Sequence, residues 1–325
     1  MKSYNKFTQL FFFVLILIAF FACKPQDRQV VPYETDADEI FKSLSPNDEG
    51  SPEAMTFGAA NIPGIIKDYE MTTQDSDIYI YLDNLTLLDI NPDINNDIID
   101  FIQKELAEEG FISDSFSLGD NSFKSLLAKG VAYTDAVDTI MNLDHKAFET
   151  QLTKYEYLTA FNMTFRIYPV YLDKDYITYR EYCYCYTGGA HGMQYSYLKT
   201  YDLNSGKLLT LEDIVKPECI EDVREEVAAQ MAYSYPIYEN ITTVNQYLDS
   251  LNVWLEHFDT SDSSDIITVK NFPLSNPAIT EKGLAFIYQM YTLTPGSDGC
   301  PLIVVPYRDI KGCLYPQFEK IHSNH

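Results

Sequence analysis

Apolar and polar positions follow two different periods along this chain. In the first half, apolar residues recur every three to four positions in two segments that begin near Asp93 and Ser122, which is typical of amphipathic helices. In the second half, runs rich in Tyr, Phe, Ile and Thr alternate as residues of β-strands do. Helices are predicted over 93–109, 122–143 (interrupted at Gly130), 218–231 and 310–314. Strands are predicted over 78–88, 159–170, 176–186, 194–202, 272–277, 283–291 and 301–306.

The order of these elements predicts the fold class. Strands follow one another along the chain, with helices inserted between groups of strands. This arrangement favours an α+β fold, in which antiparallel sheets carry amphipathic helices packed on one face. Between two predicted strands, Asn204-Ser205-Gly206-Lys207 has the composition of a hairpin turn with a left-handed glycine. Trp254 is placed in a loop between the helix 218–231 and the next strand.

The N-terminus has the pattern of an export signal. Lys2 and Lys6 precede an uncharged apolar run from Leu10 to Phe21, which is shorter than the roughly 20 residues of a membrane-spanning helix. The run ends at Ala22-Cys23, which resembles a bacterial lipobox, so residues 1–22 are predicted to be a signal peptide and Cys23 to be acylated. The polar segment 23–53 is predicted to be a flexible tether. These features predict a lipid-anchored protein of the cell envelope, facing the periplasm or the cell surface, in the outer membrane or another envelope membrane.

The net charge limits the possible partners, and the cysteine content limits the possible disulfides and metal sites. The formal net charge is -25, which argues against nucleic acid as a partner and favours a basic protein. Apart from Cys23 there are five cysteines, and Cys300 and Cys313 flank a predicted strand, which makes them a possible disulfide. The Cys183-x-Cys185 pair has no second Cys/His pair at a suitable spacing, so neither a metal site nor a cofactor is predicted.

One glycine-rich loop is the main candidate for a functional site. The predicted strand 176–186 ends in Thr187-Gly188-Gly189-Ala190-His191-Gly192. The sequence allows two interpretations of this loop: a structural connection, or a chemical site in which His191 works as an acid or base with Glu212 and Asp213. The chain contains no deacetylase-type metal motif and no Gly-x-Ser-x-Gly elbow, which favours binding over catalysis and leaves enzymatic activity open. The candidate binding residues are Tyr184, Tyr186, Thr187, Gly188, Gly189, Ala190, His191 and Gly192.

Four blocks of the second half resemble the family called domain of unknown function 3298. They are Tyr186–Gly192, Tyr201–Asp213, Glu281–Tyr288 and Ile303–Tyr307. The resemblance covers roughly residues 155–315, and the region before it is similar, more weakly, to the PdaC-like domain of unknown function 4163. The predicted organisation is a signal peptide over 1–22, a tether over 23–53, a PdaC-like module over 54–155, an RsiV-like module over 156–316 and a tail over 317–325.

The resemblance implies an extracellular binding role. Such modules occur in bacterial lipoproteins, in a peptidoglycan deacetylase outside its catalytic domain, and in the extracellular part of RsiV-type anti-sigma factors, where the module binds lysozyme. The expectation is therefore a lipid-anchored binding module for a lysozyme-like protein or a peptidoglycan glycan. Two alternatives stay open: a hydrolase- or deacetylase-type enzyme acting on peptidoglycan or polysaccharide, and a structural envelope lipoprotein. The segment Gln289–Gly296 departs from the family pattern, so a loop that contacts a partner there is expected to differ.

Overall fold

The computed structural model of the protein describes eleven stretches of the chain. They are 28–30, 65–72, 93–94, 96–100, 122–132, 135–136, 138–140, 142–143, 160–186, 191–258 and 266–321, with the backbone alone over 65–72, 160–166, 168–169, 185–186 and 257–258. Cys23, the predicted acylation residue, lies outside these residues, as do the predicted signal peptide and the predicted strand 78–88. Within the described part of the chain, no helix is both long and apolar enough to cross a membrane.

A four-stranded antiparallel sheet forms the centre of the fold. Its strands are adjacent in chain order: β1 (Ile65–Thr72), β2 (Ala160–Leu172), β3 (Tyr176–Tyr186) and β4 (Met193–Asp202). The β2–β3 register shifts between Pro169 and Tyr171, where a proline without an N–H is accommodated in the strand. Residues 176–183 are all buried, so both faces of β3 are covered by other elements. The dense aromatic alternation of this strand therefore reflects packing on two sides.

A second, three-stranded antiparallel sheet packs against one face of the first sheet. It contains β5 (Ala278–Ile279), β6 (Gly283–Ile287) and β7 (Leu302–Pro306). Two buried threonines connect the sheets: the Thr178 hydroxyl donates to the Ile279 carbonyl at 2.7 Å, and the Ile279 N–H donates to the Thr200 hydroxyl at 2.9 Å. Alternate residues of β6 and β7 face the first sheet through a small apolar cluster. Its members are Leu198, Ala278, Ala285, Ile287, Cys300, Leu302 and Val304.

Helices cover the other side of the second sheet. The short α2 (Leu211–Ile214) and the 3-10 turn Pro217–Cys219 lead into α3 (Ile220–Ser234), which is followed by α4 (Val244–Phe258). The main core lies between these helices and the remaining residues of β6 and β7. It includes Val223, Val227, Met231, Tyr247, Leu251, Leu284, Phe286, Ile303 and Val305. Burial of these side chains from both layers is the main stabilising contribution to this half of the molecule.

The N-terminal helical residues lie against the opposite face of the first sheet. Residues 93–94 and 96–100 are helical, and Asp97 accepts hydrogen bonds from Lys199 and Tyr201 of β4. The helix α1 (Phe123–Ala128) begins at Ser122, whose hydroxyl accepts a hydrogen bond from the Ser125 N–H at 3.2 Å. Gly130 follows it with a positive φ of 79°, as the predicted interruption requires. The α+β class with antiparallel sheets is confirmed.

Three residues of the predicted tether are part of the folded structure. Gln29 forms an isolated β-bridge with Thr243, and the Val30 N–H donates to the Thr242 carbonyl at 2.8 Å. Arg28 forms an ion pair with Glu226 at 2.5 Å. The tether prediction is therefore wrong for residues 28–30. The physical reason is that this short segment adds backbone pairing beside α4, which polar composition alone does not reveal.

Three local predictions in the second half also need correction. Trp254 lies in α4 and not in a loop. The predicted strand 272–277 is irregular, and a strand exists only at Ala278–Ile279, because Pro273 and Pro277 cannot donate ladder hydrogen bonds. The predicted helix 310–314 is a turn, and the short helix α5 lies at Pro316–Glu319. The Gly206 turn was predicted correctly, with a positive φ of 72°.

Candidate functional site

The candidate glycine-rich loop joins β3 to β4, and the structure describes its end. Thr187, Gly188, Gly189 and Ala190, together with the Tyr186 side chain, lie outside the described residues. Tyr184 near the end of β3 and His191 and Gly192 at the start of β4 are described. The described part of the candidate site therefore consists of these three residues and the elements that they contact.

His191 is exposed and contacts a second, distant segment of the chain. Its Nε2 lies 2.8 Å from the hydroxyl of Tyr291, which belongs to the connection between β6 and β7. Its Nδ1 lies 3.0 Å from the Gly192 carbonyl oxygen. Because a carbonyl only accepts, Nδ1 carries the hydrogen of the neutral ring and Nε2 accepts from the Tyr291 hydroxyl. The two rings are 5.9 Å apart and tilted by 48°.

Two glycines allow tyrosine rings to lie directly on the backbone at this place. A Cβ at Gly192 would come within 2.6 Å of the Tyr184 ring, and a Cβ at Gly296 within 2.2 Å of the Tyr291 ring. Each ring therefore needs a residue without a side chain beneath it. We call Tyr184, His191, Gly192, Tyr291 and Gly296 the tyrosine–histidine surface.

Partly buried polar contacts hold the β6–β7 connection against β4 beneath this surface. The Gln289 side chain pairs with the backbone of Ser196 in both directions: Nε2 donates to the Ser196 carbonyl at 2.6 Å, and the Ser196 N–H donates to Oε1 at 3.2 Å. The Cys300 thiol donates to the Gln194 carbonyl at 3.4 Å. Together these bonds fix the position of the connection that carries Tyr291.

Arg180 is a buried cation near these contacts that the sequence did not single out. It is only 3% exposed, donates through Nε to the Ser196 hydroxyl at 3.2 Å, and lies 5.7 Å from the centre of the Tyr182 ring. Its Nη1 has no hydrogen-bond partner, and no carboxylate among the described residues forms an ion pair with it. Successive side chains of a strand point to opposite faces, so Arg180 lies on the same face of β3 as Thr178, which packs against the second sheet. The sequence alone does not indicate this position, because it depends on how the two sheets pack together.

The structure does not bring His191 together with Glu212 and Asp213. Both carboxylates lie in α2, and the chain just before α2 pairs with Tyr201 and Thr200 near the far end of β4, about 25 Å along the strand from His191. Asp213 accepts from the Thr210 N–H and hydroxyl, each at 3.0 Å, and pairs with Lys207 at 2.5 Å. The hydrogen bond from Lys207 holds the pKa of the Asp213 carboxyl below its usual value. Asp213 is therefore a helix-capping residue, and the acid–base set considered from the sequence is not assembled.

The predicted disulfide between Cys300 and Cys313 is absent from the structure. Neither residue is bonded to another cysteine. They lie at opposite ends of β7, whose five residues span about 17 Å, whereas the Cα atoms of a disulfide lie about 6 Å apart. Cys313 instead contacts Cys219, and burial together with this neighbouring thiol raises the pKa of Cys313 to about 12.

A known protein family matches part of the second half of the chain. Residues 212–308 match the family described as "Protein of unknown function (DUF3298)". No curated protein matches the chain. The PdaC-like interpretation of residues 54–155 finds no support in these comparisons and stays a prediction.

Two solved structures of this family are similar to the chain. A DUF3298 family protein from Pseudomonas aeruginosa PAO1 is 20% identical with a TM-score of 0.33, over 47% of this chain and 62% of that one. The chain thus spans about three fifths of that protein. A DUF3298 family member from Bacteroides fragilis NCTC 9343 is 18% identical with a TM-score of 0.43, over 80% of this chain and 98% of that one. The segment from Glu212 to Arg308, which carries Tyr291 and Gly296, is the part of the chain that matches the DUF3298 family model.

Proposed function

We propose that this protein is a lipid-anchored binding module of the cell envelope, whose tyrosine–histidine surface contacts a basic, cell-wall-related protein of the lysozyme type. One observation carries the proposal. The hydrogen bond between His191 and Tyr291 joins the β3–β4 loop to the β6–β7 connection, 100 residues away in the sequence. The two segments therefore present one continuous polar and aromatic surface.

The composition of this surface is suited to protein recognition. Tyr291 is 45% exposed, and His191, which contacts it, and Met193 at the start of β4 are also exposed. Aromatic side chains and methionine are enriched where proteins bind one another, because they provide a large contact area with few rotatable bonds. The rings rest on glycine backbone, so little conformational entropy would be lost when a partner binds.

The charge of the chain supports a basic partner. With a net charge of -25, the protein attracts positively charged proteins over several ångströms and accelerates their association. This attraction is screened by salt, so binding should weaken as the ionic strength rises. The arrangement of carboxylates supports binding over catalysis, since Glu212 and Asp213 are remote from His191.

The proposed anchor would hold the binding surface near the membrane. Arg28, which is fixed to α3 by Glu226, lies five positions after the acylation residue Cys23. Five successive Cα–Cα steps span at most about 18 Å when fully extended. A lipid on Cys23 would therefore keep the folded domain close to the membrane surface.

Calorimetric titration of the purified full chain with hen egg-white lysozyme tests the binding surface. We expect the Tyr291→Ala change to raise Kd by about tenfold or more, since it removes an aromatic anchor worth at least about 1.4 kcal/mol. Tyr238→Ala is the matched control, because Tyr238 is 52% exposed but belongs to the turn after α3. Its Kd should stay within about twofold of the wild-type value.

Two results would contradict this proposal. If the wild-type chain does not bind lysozyme at low salt, the lysozyme-type partner is wrong. If both tyrosine variants weaken binding equally, the contact lies elsewhere or is purely electrostatic. A parallel titration with an N-acetylglucosamine oligomer identifies a glycan ligand, which would replace the protein partner at this surface.

A further inference from the structure

A second cluster of reactive side chains lies far from the tyrosine–histidine surface in the sequence. The thiols of Cys219 and Cys313 and a carboxylate oxygen of Asp222 lie within 4.8 Å of one another. Cys219 immediately precedes α3, Asp222 lies in the first turn of that helix, and Cys313 lies in the turn that follows β7. Nothing in the sequence pattern pairs these residues, because 94 positions separate the two cysteines.

Backbone hydrogen bonds hold the two segments of this cluster together. The Lys216 N–H donates to the Cys313 carbonyl at 2.8 Å, and the Tyr315 N–H donates to the Ile214 carbonyl at 3.1 Å. Val215 and Leu314 form an isolated β-bridge between them. The thiols therefore meet because their backbones are paired, and their proximity does not depend on side-chain rotamers alone.

The three donor groups match the preferences of a thiophilic divalent cation. Zinc binds Cys sulfur at about 2.3 Å and carboxylate oxygen at about 2.1 Å, so its ligands lie about 3.5–3.8 Å from one another in a tetrahedron. The observed separations need only small side-chain rotations to reach these values. Cys313 is buried, Cys219 is half-buried and Asp222 is exposed, which leaves one open side for a water ligand.

We propose that Cys219, Asp222 and Cys313 form a binding site for Zn²⁺ that joins the start of α3 to the segment after β7. The site has three protein ligands and room for one water molecule. A bound cation would stabilise the folded protein, because an unfolded chain does not hold these three groups together. The two thiols could alternatively be oxidised to a disulfide, and Asp222 distinguishes the two cases because a disulfide does not use a carboxylate.

The test is native mass spectrometry and metal analysis of the reduced, metal-stripped full chain after addition of Zn²⁺. We expect one Zn²⁺ per wild-type chain. Cys219→Ser and Cys313→Ser should each abolish stoichiometric binding, and Asp222→Asn should weaken it at least about tenfold. Asp249→Asn is the matched control, because Asp249 is an exposed carboxylate on α4. It should bind Zn²⁺ as the wild type does.

A thermal unfolding measurement provides a second readout. We expect added Zn²⁺ to raise the Tm of the wild type and to leave the Tm of Asp222→Asn nearly unchanged. The proposal is overturned if the wild type binds no more Zn²⁺ than Cys219→Ser does, or if Asp222→Asn binds it as tightly as the wild type. It is also overturned if the untreated protein is two hydrogens lighter than its sequence mass and binds no Zn²⁺, which would identify a disulfide.

Discussion

The imidazole of His191 is held by two segments that are distant in the sequence. One ring nitrogen contacts the backbone of its own loop, and the other contacts Tyr291. A histidine that works as a general base needs a carboxylate or a substrate proton within reach. His191 instead uses both nitrogens to connect two parts of a surface.

Lys199 offsets buried negative charge on the face of β4 that points away from the second sheet. Its Nζ lies 3.0 Å from Asp97 and 3.1 Å from Glu181, which is fully buried. Burial lowers the pKa of Lys199, but the attraction of Glu181 and the hydrogen bond with Asp97 outweigh it, and the net pKa is raised. The ammonium group therefore stays charged at neutral pH.

We predict that Lys199→Met lowers the free energy of unfolding by about 3 kcal/mol, because it removes this cation from a buried carboxylate. Urea denaturation measures the effect. Lys270→Met is the control, since Lys270 is exposed and lies 4.0 Å from the exposed Glu221. Its effect should stay below about 1 kcal/mol. Equal effects of the two changes would show that the buried pair contributes nothing.

Asp213 gives a prediction that depends on pH. Asp213→Ala should cost about 1 kcal/mol at pH 7, because the carboxylate caps α2 through Thr210. The pKa of Asp213 is lowered in the folded protein, so its stabilisation is present above the usual pKa of about 3.9 and is lost as the pH falls through the lower, folded value. The stability difference between wild type and variant should therefore shrink below about pH 4. A difference that grows in acid would contradict this role.

At the scale of elements, two glycines of the β6–β7 region should respond differently to substitution. A Cβ at Gly296 would meet the outer end of the Tyr291 ring, which can swing away into solvent. A Cβ at Gly283 would lie 2.1 Å from the Val305 carbonyl oxygen, which is fixed in the β6–β7 pair. The first position belongs to a surface, and the second belongs to the packed sheet.

We predict that Gly296→Ala changes stability by less than about 0.5 kcal/mol but weakens partner binding, because it displaces Tyr291. Gly283→Ala should cost about 1–3 kcal/mol, since it forces two strands apart. Thermal unfolding and the lysozyme titration together separate the two effects. If Gly296→Ala binds lysozyme as the wild type does, the orientation of the Tyr291 ring does not matter for binding.

Some elements could be predicted from local pattern, and others could not. The strand Tyr176–Tyr186 was predicted with the observed bounds, because β-branched and aromatic residues alternate without interruption. The helix α4 was missed although Val244, Tyr247, Leu248, Leu251 and Trp254 recur at helical spacing, so a signal was present in the sequence. The predicted strand 272–277 does not form, because Pro273 and Pro277 have no N–H to donate to a neighbouring strand.

At the scale of the whole molecule, the sequence pattern does not predict contacts between residues that are far apart in the chain. The site was predicted in one loop, and two of the five residues of the tyrosine–histidine surface, Tyr291 and Gly296, lie about 100 residues later. The pairing of Cys219 with Cys313, in place of Cys300 with Cys313, likewise follows from the β-bridge at Val215 and Leu314. Such contacts depend on how the layers pack against one another, and the local periodicity of apolar residues does not indicate them.

The layered architecture places the tyrosine–histidine surface at one end of β4 and the carboxylates of α2 at the other. A binding module needs no chemistry at that surface, whereas a wall-degrading enzyme needs His191 to act on its substrate. Release of soluble fragments from purified peptidoglycan by the full chain and by His191→Ala separates these roles. We predict no release above background by either protein. Release by the wild type that is lost in His191→Ala would contradict the binding role and establish His191 as a catalytic residue.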